Sequence, residues 1–245
     1  MKRLIPVIAL AMVLTSSTIW AADATLSMDV NSAYVWRGIT FNDGVVAQPS
    51  IDVTNGSFGV NVWGNFDLDD YDDTLDENEF SEVDLTVYYG FSVQSLDITL
   101  GLIEYLFPVA SGSTHEAYVS LSHPIIGGLS VGADFYYDFD EVDGYYADLA
   151  LTYAMDLAEK LSLEIGARAG YADEDFAEYY GGTDSGLYDY TLSLGVSYAL
   201  TEALSLGANI NYTDSLDDDA LPDDGEYGSG VDVNTYGGIS IAYTF

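Results

Sequence analysis

The 245-residue chain has no cysteine, five basic residues and two histidines, and after its first 22 residues no apolar run as long as a membrane-spanning helix. Without cysteine there is no disulfide framework, no thiolate metal site and no cysteine to carry a lipid at a processing point. The bases are Lys2, Arg3, Arg37, Lys160 and Arg168, against 41 acids, for a net charge of −36. A charge of that size repels nucleic acid and anionic lipid surfaces and favours cations as partners. His115 and His123 lie at opposite ends of one segment, next to Ser113, Glu116 and Ser122. A hydrolase needs serine, histidine and an orienting group within hydrogen-bond reach. Adjacent strand residues face opposite ways, and no nucleophile motif is present. No enzyme and no cofactor are expected.

Residues 1–22, MKRLIPVIALAMVLTSSTIWAA, have the parts of a secretory signal: Lys2 and Arg3, an apolar stretch from Leu4 to Leu14, and small residues at Ala21 and Ala22. The apolar stretch is too short for a membrane anchor. The expectation is an exported chain whose one domain spans 23–245. That remainder holds every acid and only three bases. Yet 49% of the whole sequence is hydrophobic and tyrosines number 21, so this is no disordered acidic tail. Grease and charge must be separated in space.

They are separated by alternation. In FGVNVWGNFD, 58–67, Phe58, Val60, Val62 and Phe66 share one face, with Asn61, Trp63, Asn65 and Asp67 on the other. LSLEIGARAGY at 161–171 and LSLGANINY at 204–212 repeat the plan. About 12 such segments, each near the ten residues of a membrane β-strand, fall at 24–37, 45–54, 58–67, 80–90, 96–107, 115–123, 129–138, 144–154, 161–171, 187–198, 204–213 and 231–245. Their connections alternate between short, nearly uncharged turns (55–57, 124–128, 199–203) and long acidic loops (68–79, 172–186, 214–230). A soluble sandwich has no reason to sort loops by parity. The fold expected is all-β: a transmembrane, antiparallel up-and-down β-barrel of about 12 strands in a bacterial outer membrane, with the lipid bilayer as partner.

Aromatics on the apolar face gather at strand ends. Tyr34, Trp36, Phe66, Tyr137, Tyr145, Tyr171, Tyr188 and Tyr212 lie near the acidic loops; Phe58, Tyr89, Tyr153, Tyr198, Tyr243 and Phe245 lie near the short turns. Two girdles around an aliphatic band suit a bilayer.

The polar face is acidic. Parity assigns it Asp29, Asp52, Glu82, Asp84, Asp134, Asp148, Glu164, Asp189 and Asp232, against Arg37 and Arg168. Two arginines cannot neutralise nine acids, and wall carboxylates favour cations. Arg37 and Arg168 read as interior ion-pair partners. The acid-rich loops, Asp67 to Asp73 and Asp217 to Asp224, lack EF-hand spacing and read as diffuse screening by cations, with no ordered metal site expected.

Three stretches carry a family likeness. SAYVWRGIT at 32–40, VNVWGNFD at 60–67, and GLIEYLFP followed by HEAYVSLSHP at 101–124 resemble the TorF-type porins of Gram-negative outer membranes. The resemblance covers the N-terminal half, and it implies passive transport. A final lipid-facing Phe245, with Tyr243 before it, also resembles the signal read by barrel-assembly machinery, which implies that machinery and periplasmic chaperones as partners. The function expected is passive diffusion of small hydrophilic solutes with cations favoured; the alternative is a non-conducting structural or adhesive barrel with acidic surface loops.

Overall fold

A computed structural model describes residues 22–69, 77–223, 225 and 227–245. The leader expected at 1–22 lies outside the described residues but for Ala22, as do Asp70, Asp72, Asp73 and Asp224 of the acidic loops.

Strict alternation makes strands here because each must bury one face and expose the other. In chain order they are β1 (Asp23–Asn31), β2 (Tyr34–Trp36), β3 (Ile39–Asn42), β4 (Val46–Asn55), β5 (Phe58–Asp67), β6 (Glu79–Val93), β7 (Leu96–Phe107), β8 (Gly112–Ile126), β9 (Leu129–Asp138), β10 (Tyr145–Ala158), β11 (Leu161–Ala172), helix α1 (Glu174–Tyr179), β12 (Gly186–Ala199), β13 (Leu204–Ser215) and β14 (Thr235–Thr244). Twelve of the strands pair antiparallel with their neighbours in sequence and close where β1 meets β14, so the barrel has no free edge. β2 and β3 form a separate two-stranded sheet.

The exterior is inverted relative to a water-soluble core. Leu149, Ile239, Leu102 and Ile210 are all more than half exposed on the outer face. Water does not tolerate a continuous belt of this kind, and hydrocarbon does. The lower girdle read from the sequence is present as a ring of exposed side chains: Phe58, Tyr89, Tyr153, Tyr198, Tyr243 and Phe245. The last two rings pack edge to face at 4.9 Å, and the Phe245 backbone N–H donates to Ala24 O at 2.9 Å. Tight turns close the lower end. At Gly127-Gly128 both residues have positive φ, +58° and +87°, as a two-residue hairpin of this hand requires.

Adjacent residues Glu164 and Ile165 on β11 give a test of the inside-out assignment. Ile165 is 47% exposed on the outer face, while Glu164 faces the interior. Ile165→Arg is expected to cost about 2–4 kcal/mol of barrel stability in lipid. Glu164→Arg, the same side chain one residue earlier, is expected to cost under about 1 kcal/mol, since an inner-face charge stays in water. Urea unfolding in vesicles measures both; equal losses would contradict the assignment.

Three expectations are corrected. The first segment does not run to residue 37: β1 ends at Asn31, and residues 34–42 turn inward as the β2–β3 hairpin. Tyr34 and Trp36 consequently leave the upper girdle for the interior. The last strand begins at Thr235, so Asp232 sits in the loop above it, where its N–H meets Thr40 Oγ1 at 3.1 Å. Tyr188 is fully buried because β12 carries a bulge: Ala169 pairs Tyr190 and Tyr171 pairs Leu187, leaving Tyr188 and Asp189 together opposite Gly170, both inward.

Candidate functional site

The interior is organised by the β2–β3 hairpin. Its tip is Arg37-Gly38, both left-handed at φ +50° and +84°. Gly38 is needed twice over: a Cβ there would meet Asp189 Cβ at 2.7 Å and Leu221 Cδ2 at 2.8 Å. The Arg-Gly-Ile stretch singled out by resemblance is thus the point of a loop driven into the barrel. Around it an apolar cluster forms from Ile39, Val142, Tyr146, Phe176, Tyr188 and Leu221, with Trp36 and Phe41 against it. Phe176 is delivered by α1, whose N-cap Asp173 accepts from the Phe176 N–H at 3.0 Å. Thr40 ties the hairpin to the last acidic loop: its N–H donates to Gly230 O at 2.9 Å, and its carbonyl accepts from Gly228 at 3.0 Å.

Arg37 fastens the tip. Its guanidinium donates twice to Glu116, at 2.7 and 2.9 Å. It also lies 4.2 Å from the ring centres of both Trp36 and Tyr136 and 4.7 Å from that of Tyr146. The two-point bond to Glu116 offsets the cost of burying the charge. Tyr105 completes the Glu116 site with a hydrogen bond of 2.7 Å.

The other residues expected on the inner face fall into two groups. Several are engaged. Glu82 accepts from Tyr34 Oη at 2.8 Å. Asp189 accepts from Arg168 at 2.6 Å and from Tyr146 at 2.7 Å. Arg168 also lies 3.8 Å from Asp148. Asp52 holds Tyr88 Oη at 3.0 Å. Others have unmet capacity. Asp84, Asp134 and Asp148 each keep a buried Oδ1 with no hydrogen-bond partner, and Asp134 and Asp148 sit directly opposite one another in the β9–β10 register. Like charges so placed repel, and an unsatisfied carboxylate oxygen is costly. Glu164 lies lower, exposed in a cavity of about 270 Å³.

The opposite wall differs. Asn31 donates to Gln48 at 2.8 Å, Gln48 to Asn65 at 3.0 Å, and Asn65 to Asp67 at 2.8 Å. Asp67, expected in a surface loop cluster as well as on the inner face, is buried and also bonded by Asn42 at 2.7 Å. Because the hairpin leans on β8–β10 through Arg37, space stays open on the β1, β13 and β14 side: a cavity of about 410 Å³ bordered by Tyr34, Gln48, Trp63, Asn209, Asn211 and Tyr236. Asn209 also borders the lower cavity, whose walls of Ser197, Ser205, Gly207 and Ser240 are small. Asn209 of β13 is thus common to both linings.

Sequence reasoning missed Glu116 as the Arg37 partner, though Tyr118 and Ser120 on the same strand share its parity. It also missed the inward tyrosines. Tyr88 lies across Gly59 and Tyr118 across Gly101, each on its register partner, where a Cβ would collide with the ring. A glycine facing a tyrosine across a pair was the available signal. His115 lies outside, 2.8 Å from Asp140 and stacked on Phe139 at 6.0 Å.

No family model and no curated protein matches this sequence. Solved structures do. A KdgM porin aligns at a TM-score of 0.57 and 13% identity, over 90% of this chain and 99% of that one. A KdgM porin in complex with disordered oligogalacturonate aligns at 0.56 and 11%, over 91% and 99%. A NanC porin aligns at 0.53 and 12%, over 91% and 98%. At such identities the likeness is one of fold: a closed 12-strand porin barrel. The TorF-type resemblance rests on its own residues.

Proposed function

We propose that this chain is an outer-membrane channel for passive diffusion of small hydrophilic solutes, cations favoured, exported by a leader at 1–22 and inserted by the barrel-assembly machinery after passage with periplasmic chaperones. The observation that carries the reading is the space left beside the hairpin: two polar cavities, both lined by Asn209 of β13, inside a closed barrel with an apolar exterior. Cation preference is supported by Asp29, Asp52, Asp84, Asp134, Asp148 and Glu164 on the inner face, against Arg37 and Arg168, which already hold Glu116 and Asp189. A polyanion such as the oligogalacturonate named with one KdgM structure is a poor substrate for such a wall.

The hairpin also suits the second reading, a non-conducting barrel, because it fills much of the upper lumen. Planar-bilayer recording of the purified protein separates the two. Discrete conductance steps are expected. Silence of a fully folded, heat-modifiable barrel would favour the structural or adhesive reading.

A further inference from the structure

The lumen is divided by chemistry as well as by the hairpin. The wall from β6 to β12 carries Asp84, Asp134, Asp148, Asp189 and Arg168, with Arg37 of the hairpin bonded to its Glu116. The wall of β1, β4, β5, β13 and β14 at the upper cavity carries amides, a phenol and an indole. We infer that the 410 Å³ space beside the hairpin is a binding subsite for a neutral, polyhydroxylated ring, a hexose or a short oligomer of hexoses, in transit through the channel. The inference rests on the channel reading above and names a solute class for it.

Three features argue for that class. The first is hydrogen-bond character. Gln48, Asn209 and Asn211 are amides with both donor and acceptor groups, as sugar hydroxyls have, whereas an ammonium only donates and a carboxylate only accepts. Their orientation is held by a side-chain ladder: Asn31 donates to Gln48 at 2.8 Å and Asn211 to Asn209 at 3.0 Å. Gly238 on β14 makes room for Asn31, whose Oδ1 lies where a Cβ at Gly238 would stand. The second is the aromatic border. Trp63 packs on Tyr34 with ring centres 5.6 Å apart, and Tyr236 borders the same space. Flat apolar faces beside amides suit the C–H faces of a pyranose ring. The third is size. About 410 Å³ falls within the range of small-molecule sites, and Asn209 lines the lower cavity as well. An acidic sugar is disfavoured by the net negative charge of the inner face as a whole, to which Asp29 on the same β1 contributes.

The experiment uses the full folded protein and a matched pair of probes, glucose and glucuronate, which differ by one carboxylate. Glucose is expected to interrupt single-channel current in a concentration-dependent way and to change tryptophan fluorescence in micelles, with Trp63→Phe losing most of the fluorescence change. Glucuronate is expected to do neither. Asn209→Ala and Asn211→Ala should each weaken glucose about fivefold, the effect of one hydrogen bond; they serve if Trp63→Phe folds poorly. A conducting channel indifferent to glucose in both assays overturns the subsite, as does equal response to glucuronate. A silent barrel whose fluorescence still answers to glucose keeps the subsite and removes the channel reading instead.

Discussion

Arg37→Ala is expected to release the hairpin and enlarge the pore. The guanidinium is 6% exposed and Glu116 3%, so the substitution leaves a buried carboxylate facing Tyr105 with its charge partner gone. Removing one member of a buried pair costs about 3–5 kcal/mol, and here the loss falls on docking of residues 34–42. The barrel is held by its own closed ladder of strands and is expected to keep its heat-modifiable mobility. Unitary conductance should rise, and protease should cut the unfastened loop between Ser32 and Gln48. Glu116→Gln should act in the same direction more weakly, because Gln still accepts from Arg37. The double variant Arg37→Met with Glu116→Leu should restore low conductance, since a buried pair replaced by apolar groups of similar volume is often neutral. Conductance unchanged in Arg37→Ala would mean that the apolar cluster of Ile39 and Phe176 holds the hairpin alone.

Neutralising Asp84, Asp134 and Asp148 together to Asn is expected to cut the potassium-to-chloride permeability ratio by about tenfold, the low end of what focused wall charge does to local counter-ion concentration. A 12-strand lumen is narrow, and the hairpin narrows it further, so an ion passes these groups within the Debye length of about 8 Å. The fold should survive, because Arg168 keeps its 2.6 Å bond to Asp189. Stability should even rise slightly, since Asp134 and Asp148 no longer repel across the β9–β10 register. Selectivity retained in the triple variant would shift the credit to Asp52, Glu164 and the acidic loops.

How far the sequence announced this molecule depends on the element. Strands such as 58–67 and 161–171 were legible because a membrane barrel forces strict alternation on each of them, and sorting of loops by length and charge fixed which end is which. The hairpin was not legible. SAYVWRGIT keeps Tyr34 and Trp36 on the parity of Leu26, Met28 and Val30, interrupted only by Ser32, and the reversal sits at Arg37-Gly38, where the glycine reads as one more small residue. Tyr34 and Trp36 were therefore placed on the outer girdle, although they pack inside. Tyr188 was misplaced for a different reason: a single extra residue in β12 reverses parity locally, and nothing in LYDY marks it. The acidic character of the inner face was plain, yet its division into a carboxylate wall and an amide wall was not. That division depends on which strands neighbour one another around the closed barrel and on which side the hairpin leans.

The central claim is that water and cations pass between the hairpin and the amide wall under the influence of the opposite carboxylates. The reversal potential of the wild-type protein in a planar bilayer, under a tenfold potassium chloride gradient, tests it most directly. The expected potential carries the sign of a cation-selective pore and shrinks as both salt concentrations are raised together, because screening shortens the reach of Asp84, Asp134 and Asp148. A potential of the opposite sign, or folded protein that passes no current at all, would contradict it.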